Sequence, residues 1–395
     1  MTVTAAPTTG MWFDPTPEQQ MLRQMVRDFV DRECPKLKAR DLEASEEFPA
    51  DLAAAIAAAG LNGIGIPEEY GGQGGDIIDQ VIVCEELSRS LAGLAWLWGI
   101  NVWSAAHAVL AHGTPEQRAE YLPRIADGTM RFAFALTEPG GGTDVLRAMR
   151  STATPVEGGY LLRGNKIWST TAHVADRIMV TVRTSPSDKP SRGLSVFLVR
   201  RDSSGLTATP IPKIGMRSLG SCEVSFDDVF VPAEDLLGEV DQGWRQITGS
   251  LNSERIMVAA MCTGILRAVL EDALEYAGQR HAFGRPIGQM QSIQHSIADM
   301  AMKLDTATLH THRAAWLEQQ GRPCGVEATM AKCLASEYAV EAADQGIQIL
   351  GGYGYAQEYN MQRYWRDARL YRIGPITNEM ARNYIGENLG LPRSF

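Results

Sequence analysis

The stretch Phe134–Asp144, FALTEPGGGTD, decides how this chain is read. Its apolar lead-in, Phe134-Ala135-Leu136, has the character of a strand end. A hydroxyl (Thr137), a carboxylate (Glu138) and a proline follow, then three glycines, Thr143 and Asp144. Without side chains at Gly140, Gly141 and Gly142, another group can come close to the backbone. Exposed N–H groups flanked by threonine hydroxyls suit a planar polar ligand or a pyrophosphate. A Gly-rich turn joining two strands is the plainer reading of the same residues.

Three more stretches extend this reading: Gly164–Thr170 (GNKIWST); the set Tyr276, Ala277, Arg280, Phe283, Gly284, Pro286, Ile287, Gln291 and Gln294; and Gln348–Gly354 (QILGGYG). With Phe134–Asp144 they span nearly the whole chain. In this order they resemble the acyl-CoA dehydrogenase family, through its T-E-P-x-x-G-[ST]-D, G-x-K-x-W-I-[ST]-N and Y-A-x-x-R-x-x-F-G-x-P-[IL] patterns. The resemblance implies FAD as cofactor. It places Phe134, Leu136, Thr137, Gly142 and Thr143 along the isoalloxazine and its phosphates, Trp168 beside the ring and Thr170 near the N5 edge. It sends Arg280 and Phe283 to the pyrophosphate and adenine of a neighbouring subunit's FAD, with Gln291, Gln348, Gly351 and Gly352 completing that site. Thr377 and Glu379 join the cofactor set. The same resemblance implies a homotetramer with its C-terminal bundles packed together, and an electron-transfer flavoprotein as acceptor. Without that context Trp168 reads as a β-core aromatic and Arg280 as a surface arginine. The chain departs from the pattern at Thr171-Ala172, where relatives carry Asn-Gly.

The bounds agree with such a protein. A chain of 395 residues, 45% hydrophobic and 21% charged, is long enough for two or three domains with sizeable cores. A formal net charge of −10 with no long basic run disfavours nucleic acid or an anionic membrane as main partner. Six scattered cysteines read as reduced thiols, not as a disulfide frame or zinc site. There is no HExxH, and His310 and His312 lie in a helical pattern with no carboxylate partner in view, so no metal is expected. The N-terminal MTVTAAPTTG resembles neither a secretory signal nor a transit peptide. No uncharged apolar run of roughly 18 residues is expected, which leaves the cytoplasm as the default location.

Three textures divide the chain. Residues 1–128 read as an N-terminal α-helical domain: Thr16-Pro17-Glu18 is an N-cap with proline at the first helical position. Leu22, Met25, Val26, Phe29 and Val30 then form one apolar stripe. Helices are predicted through Ala53–Ala59, Val81–Leu91 and Ala95–His112, with Gly63–Gly75 a structural loop. Residues 129–241 alternate in β-branched segments between turn residues and read as an antiparallel β domain. Residues 242–395 return to long helical periods and read as a C-terminal four-helix bundle. The fold class is therefore mostly α with a central β domain.

Desaturating an acyl thioester needs a base for the Cα proton, a hydride acceptor over Cβ and donors for the enolate oxygen. In most of the family the base is a glutamate in a C-terminal Y-E-G-T-like motif. Here Pro375 takes that glutamate's place and Ile376 the glycine's. Proline cannot act as base and has no N–H to offer the thioester oxygen. A substitute lies in the helix after Gly243, where Ile247, Leu251, Val258, Met261 and Ile265 share one face and Glu254 is its single carboxylate. The other reading of Glu254 is an edge residue paired with a base on another helix. The stretch Leu251–Arg255 resembles the isovaleryl- and long-chain branch, which draws its base from this helix; Arg255 matches a family arginine that helps anchor the CoA arm, and Asn252, in the substrate-binding set, replaces a common aspartate there. Trp96, with Trp98 and Trp103, brings bulk to the helix that lines the acyl pocket in relatives, predicting short, branched or cyclic acyl groups on CoA or a carrier protein. Pro375 also keeps a second class open: a flavin-binding relative that performs a non-redox elimination or serves interactions.

Overall fold

The computed structural model describes residues 14–394; the N-terminal segment read above for targeting lies outside them. The first helix, α1 (Pro17–Glu33), begins at a capping box in which Thr16 accepts from the Gln19 N–H and the Gln19 side chain returns to the Thr16 N–H. Val26, Phe29 and Val30 face the core, but Met25 stays 47% exposed, so the stripe is narrower than predicted. Next come α2 (Lys36–Ser45), α3 (Ala50–Ala58) and α4 (Ile77–Ser90).

A continuous helical rod follows: α5 (Ala92–Gly99), a π-helical turn (Ile100–Ala106) and α6 (His107–His112). Residues 92–112 are long and apolar enough to cross a membrane, contrary to expectation. They are instead largely buried, with α5 against α4 and α10 and the π turn against β1. α7 (Pro115–Ala126) closes this part.

The sheet has eight strands: β1 (Phe132–Ala135), then, after the short α8 (Val145–Ala148), β2 (Thr152–Val156), β3 (Gly159–Thr170), β4 (Arg177–Arg183), β5 (Leu194–Arg200), β6 (Leu206–Ile211), β7 (Ser221–Pro232) and β8 (Leu236–Leu237). Their order is β6-β7-β3-β2-β4-β5-β8, with β1 added on β4. The sheet is not wholly antiparallel: β1 runs parallel to β4, Phe134 opposite Met179.

The helix anticipated after Gly243 is two helices, α9 (Gly243–Thr248) and α10 (Leu251–Gln279). Ile247 therefore does not continue the α10 stripe; Val258, Met261 and Ile265 do, all buried. A hairpin of β9 (His281–Ala282) and β10 (Arg285–Pro286) leads to α11 (Gln291–Gln319), α12 (Gly325–Leu350), α13 (Gly352–Tyr355), α14 (Met361–Leu370) and α15 (Asn378–Asn388).

α10 is the axle, packed on α12, α4 and α11. At Gly264 it crosses α4 so closely that a Cβ would stand 2.2 Å from the Glu85 carbonyl oxygen. Two buried carboxylates of α4 are neutralised across this junction. Arg23 of α1 reaches Glu85 at 2.6 Å and Glu86 at 2.8 Å. His312 of α11 does have a carboxylate partner, Glu85, with Nε2 3.1 Å from its Oε1. Helical spacing along α11 could not reveal a partner more than two hundred residues away.

Candidate active site

The glycine run and the GNKIWST stretch are adjacent. Ile167 donates its N–H to the Thr137 carbonyl at 2.9 Å. The Lys166 ammonium, fully buried, donates to the Leu136 carbonyl at 3.0 Å and to Glu138 Oε1 at 2.9 Å. Glu138 also accepts the backbone N–H groups of Arg150 at 2.6 Å and Ser151 at 2.9 Å. Burial pushes the Glu138 carboxyl up, but the Lys166 ammonium and the hydrogen bonds outweigh it and hold it below the usual carboxylate range. Glycine is needed at Gly141, where a Cβ would stand 2.2 Å from that of Ala148. Gly140 and Gly142 have open space on their Cα atoms.

Next to this loop β3 bulges against β7 between Lys166 and Ser169. The bulge puts Trp168 at φ +64°, an unfavourable conformation for a bulky residue, and leaves it 57% exposed beside the buried Ser169. Thr170 ends the strand, its Oγ1 3.2 Å from Ser221 Oγ. Phe134, Leu136, Thr137, Gly142, Thr143, Trp168 and Thr170 thus lie on two joined segments, and the glycine cradle and outturned indole fit a flat ring and its phosphates.

The second predicted set gathers elsewhere, at the far ends of α10 and α12. Arg280 ends α10, with its guanidinium 5.9 Å from the centre of the Tyr353 ring. Phe283 tips the β9–β10 hairpin and is 95% exposed. Gln291 opens α11; Gln348, Gly351 and Gly352 form the exposed end of α12. Among the described residues no hydrogen bond or ion pair of this chain joins the two sets.

Glu254 sits in the first turn of α10, half-buried. Burial pushes its carboxyl up to about 7, against the pull of Arg255 and Lys332. Arg255 is buried, donates to Asn252 Oδ1 at 3.3 Å and lies 5.2 Å from the centre of the Tyr384 ring. Along the same helix Met261 meets the rod: a Cβ at Gly99 would stand 3.3 Å from both Met261 Cε and Trp103 Cε3. Met261 Sδ accepts from the Tyr371 hydroxyl at 3.4 Å, and the Tyr371 ring is 6.2 Å from that of Trp96. Trp98 turns away, donating to the Leu61 carbonyl at 2.9 Å. Thr377 caps α15, accepting from the Met380 N–H at 3.2 Å, and Glu379 is exposed in that helix's first turn. An open cleft of about 620 Å³ lies beside α9, lined by Ser185, Ser191, Arg192, Trp244, Arg245 and Thr248.

The chain is similar to known proteins over nearly its whole length. The acyl-CoA dehydrogenase N-terminal, middle and C-terminal domain patterns match residues 16–129, 133–229 and 241–390. The chain belongs to the acyl-CoA dehydrogenase family. It is 39% identical to a probable acyl-CoA dehydrogenase, YngJ, of Bacillus subtilis, over 96% of this chain and 100% of that one. Its fold is similar to the structure of butyryl-CoA dehydrogenase from Megasphaera elsdenii, with TM-score 0.92, 34% identity and 96% and 100% of the two chains covered. It is also similar to the FAD complex of PigA, with TM-score 0.91, 30% identity and coverage of 96% and 100%. Like its relatives, this acyl-CoA dehydrogenase is an FAD-dependent oxidoreductase of acyl thioesters.

Two buried lysines of the dehydrogenase were not anticipated as site residues. Lys166 was read only as a motif letter. Lys332, which donates to the Ile376 carbonyl at 2.5 Å, lies in an α12 stretch of small residues. A lysine at a core-facing helical position was the available signal.

Proposed function

We propose that this dehydrogenase removes a Cα proton and a Cβ hydride from a short, branched or cyclic acyl thioester, with Glu254 as the base. One observation carries the reading. The C-terminal loop offers Pro375 where relatives present their glutamate, while Glu254 projects from α10 with its carboxyl raised to about 7 by burial. A carboxylate poised there can hold a proton taken from carbon at neutral pH. Bound FAD supplies the hydride acceptor. Phe134, Leu136, Thr137, Gly142, Thr143, Trp168 and Thr170 hold its flavin end. Arg280, Phe283, Gln291, Gln348, Gly351 and Gly352 serve the FAD of a neighbouring subunit in a tetramer, with Thr377 and Glu379 at the edge of the cofactor site.

Asn252 and Arg255 anchor the thioester arm, and the polar cleft around Arg192, Trp244 and Arg245 is suited to an anionic carrier end. Trp96, Trp103, Met261 and Tyr371 shorten the acyl pocket. We assign residues 1–128, 129–241 and 242–395 to the three domains, the electron acceptor to an electron-transfer flavoprotein, and the protein to the cytoplasm.

Anaerobic titration of the yellow protein with a panel of acyl-CoA and acyl-carrier thioesters tests the reading. Bleaching of the flavin by a short or branched thioester supports it. Binding without bleaching by any member favours the second reading, a flavoprotein that does not desaturate, for which Pro375 and its missing N–H are the motive.

A further inference from the structure

Lys332 has no solvent exposure and no carboxylate within ion-pair distance among the described residues. Its Nζ donates to the Ile376 carbonyl at 2.5 Å and to Asn378 Oδ1 at 2.7 Å. Asn378 is itself buried and donates to Ser336 Oγ at 3.0 Å. An ammonium has three donors, so two are used here. A buried ammonium is expensive unless a negative charge answers it nearby.

α10 and α12 lie side by side with Asn252 against Gly325, where a Cβ would stand 3.5 Å from Asn252 Oδ1. Lys332, two turns along α12, is therefore level with the turns of α10 just past Glu254. The other charged or titratable groups around the pair are Arg255 and Cys262 on α10, Glu318 on α11, Cys333 on α12, and Glu379, Arg382 and Tyr384 on α15. Arg382 is neutralised by Glu337 at 2.6 Å, Glu379 is exposed, and Arg255 is drawn to Asn252 and Tyr384.

We propose that Lys332 is a positioning residue for the reaction: it fastens the loop that carries Pro375 through the Ile376 carbonyl, and its ammonium joins Arg255 as a fixed positive charge that favours the ionised form of Glu254. This rests on Glu254 as the base. It makes one cation do two things that the loss of the C-terminal glutamate requires. It holds the emptied loop in place, and it helps the replacement carboxylate ionise inside an apolar wall. Burial pushes Lys332 down to about 8, so the charge is present through neutral pH and fades above it.

The holoenzyme tests it. The infrared carboxyl band of Glu254, taken as parent minus Glu254→Gln, gives the midpoint of its titration without any substrate. Lys332→Met should raise that midpoint by about one pH unit, lowering the ionised fraction below the midpoint about tenfold. Lys332→Arg should hold it near the parent value. The rate of flavin reduction should fall by about the same factor at pH 6 and converge with the parent at pH 9. A purely structural lysine would scale the rate equally at every pH. Asn378→Asp is nearly isosteric and answers the ammonium with a carboxylate. It should raise the midpoint as well, and it decides the matter alone if Lys332→Met does not fold. A midpoint unmoved in the folded variants overturns the proposal. A midpoint that moves in a protein whose flavin no thioester bleaches overturns the desaturation reading instead.

Discussion

Glu138 and Lys166, from separate stretches 28 residues apart, form a buried ion pair with Nζ 2.9 Å from Oε1. The pair explains why both stretches are needed. Lys166 also takes the Leu136 carbonyl, and Glu138 gathers the Arg150 and Ser151 N–H groups, so one ion pair sets the shape of the glycine run. Lys166→Met leaves that carboxylate buried without its counter-charge. Loss of one partner from a buried pair costs about 3–5 kcal/mol. The expected outcome is a lower urea midpoint and loss of FAD on gel filtration; full flavin content at unchanged stability would refute the pair's role.

Glu254→Gln keeps shape and polarity but cannot accept a proton. The rate of flavin reduction should drop ~10²–10⁴-fold, the usual cost of removing a general base. FAD content should not change, because the flavin-holding residues lie on other elements. Glu379→Gln, in the exposed first turn of α15, should be nearly silent toward chemistry though it can loosen cofactor binding. Parent-rate reduction in Glu254→Gln, read by stopped flow, would remove Glu254 as base.

The raised carboxyl of Glu254 has a sign in stability. Its folded value of about 7 lies above the unfolded 4.5, so the folded state binds the extra proton between them. This contribution is fully present below pH 4.5 and is lost as pH rises through about 7. Glu254→Gln should therefore gain stability relative to the parent at pH 8, on the order of 3 kcal/mol, and show little difference at pH 4. Denaturation at the two pH values checks it; an equal difference at both would contradict it.

Arg280→Ala tests the shared cofactor site. Arg280 lies at the end of α10, by Tyr353 and away from the glycine run in its own chain. Removing it should release FAD or weaken the oligomer, read by absorbance and by light scattering. Normal flavin content in an intact assembly would argue for a site built within one chain.

Trp103 meets Met261 across Gly99, with its indole N–H buried and unpartnered. Trp103→Ala should open the acyl pocket and move the preferred chain length upward. Turnover on a graded series of straight-chain thioesters measures it. Fastest parent turnover at twelve carbons or more would defeat the short-pocket reading.

Much of this was legible in the residues because it depends on local patterns. The Thr16 capping box, the end of α3 before Gly60 and the alternation of β7 each arise within a few residues, whereas β4 and β5 are buried along nearly all their length. The break at Gly249-Ser250 was not legible, because the apolar spacing of Ile247 and Leu251 continues across it. The partnership of His312 with Glu85 was hidden for another reason: helical spacing along α11 says nothing of what α4 presents to it.

By itself the sequence determined the family, the order of helical, β and helical parts, and the presence of a proline rather than a carboxylate at position 375, since each rests on residue identity and order. Only the tertiary structure decided which charges answer one another. It brought Lys166 to Glu138 and Arg23 to Glu85, turned Trp168 outward on a bulge, and set Lys332 under the loop of Pro375. The physical reason is that burial and distance fix what a charged side chain does, and both are properties of segments far apart in the chain.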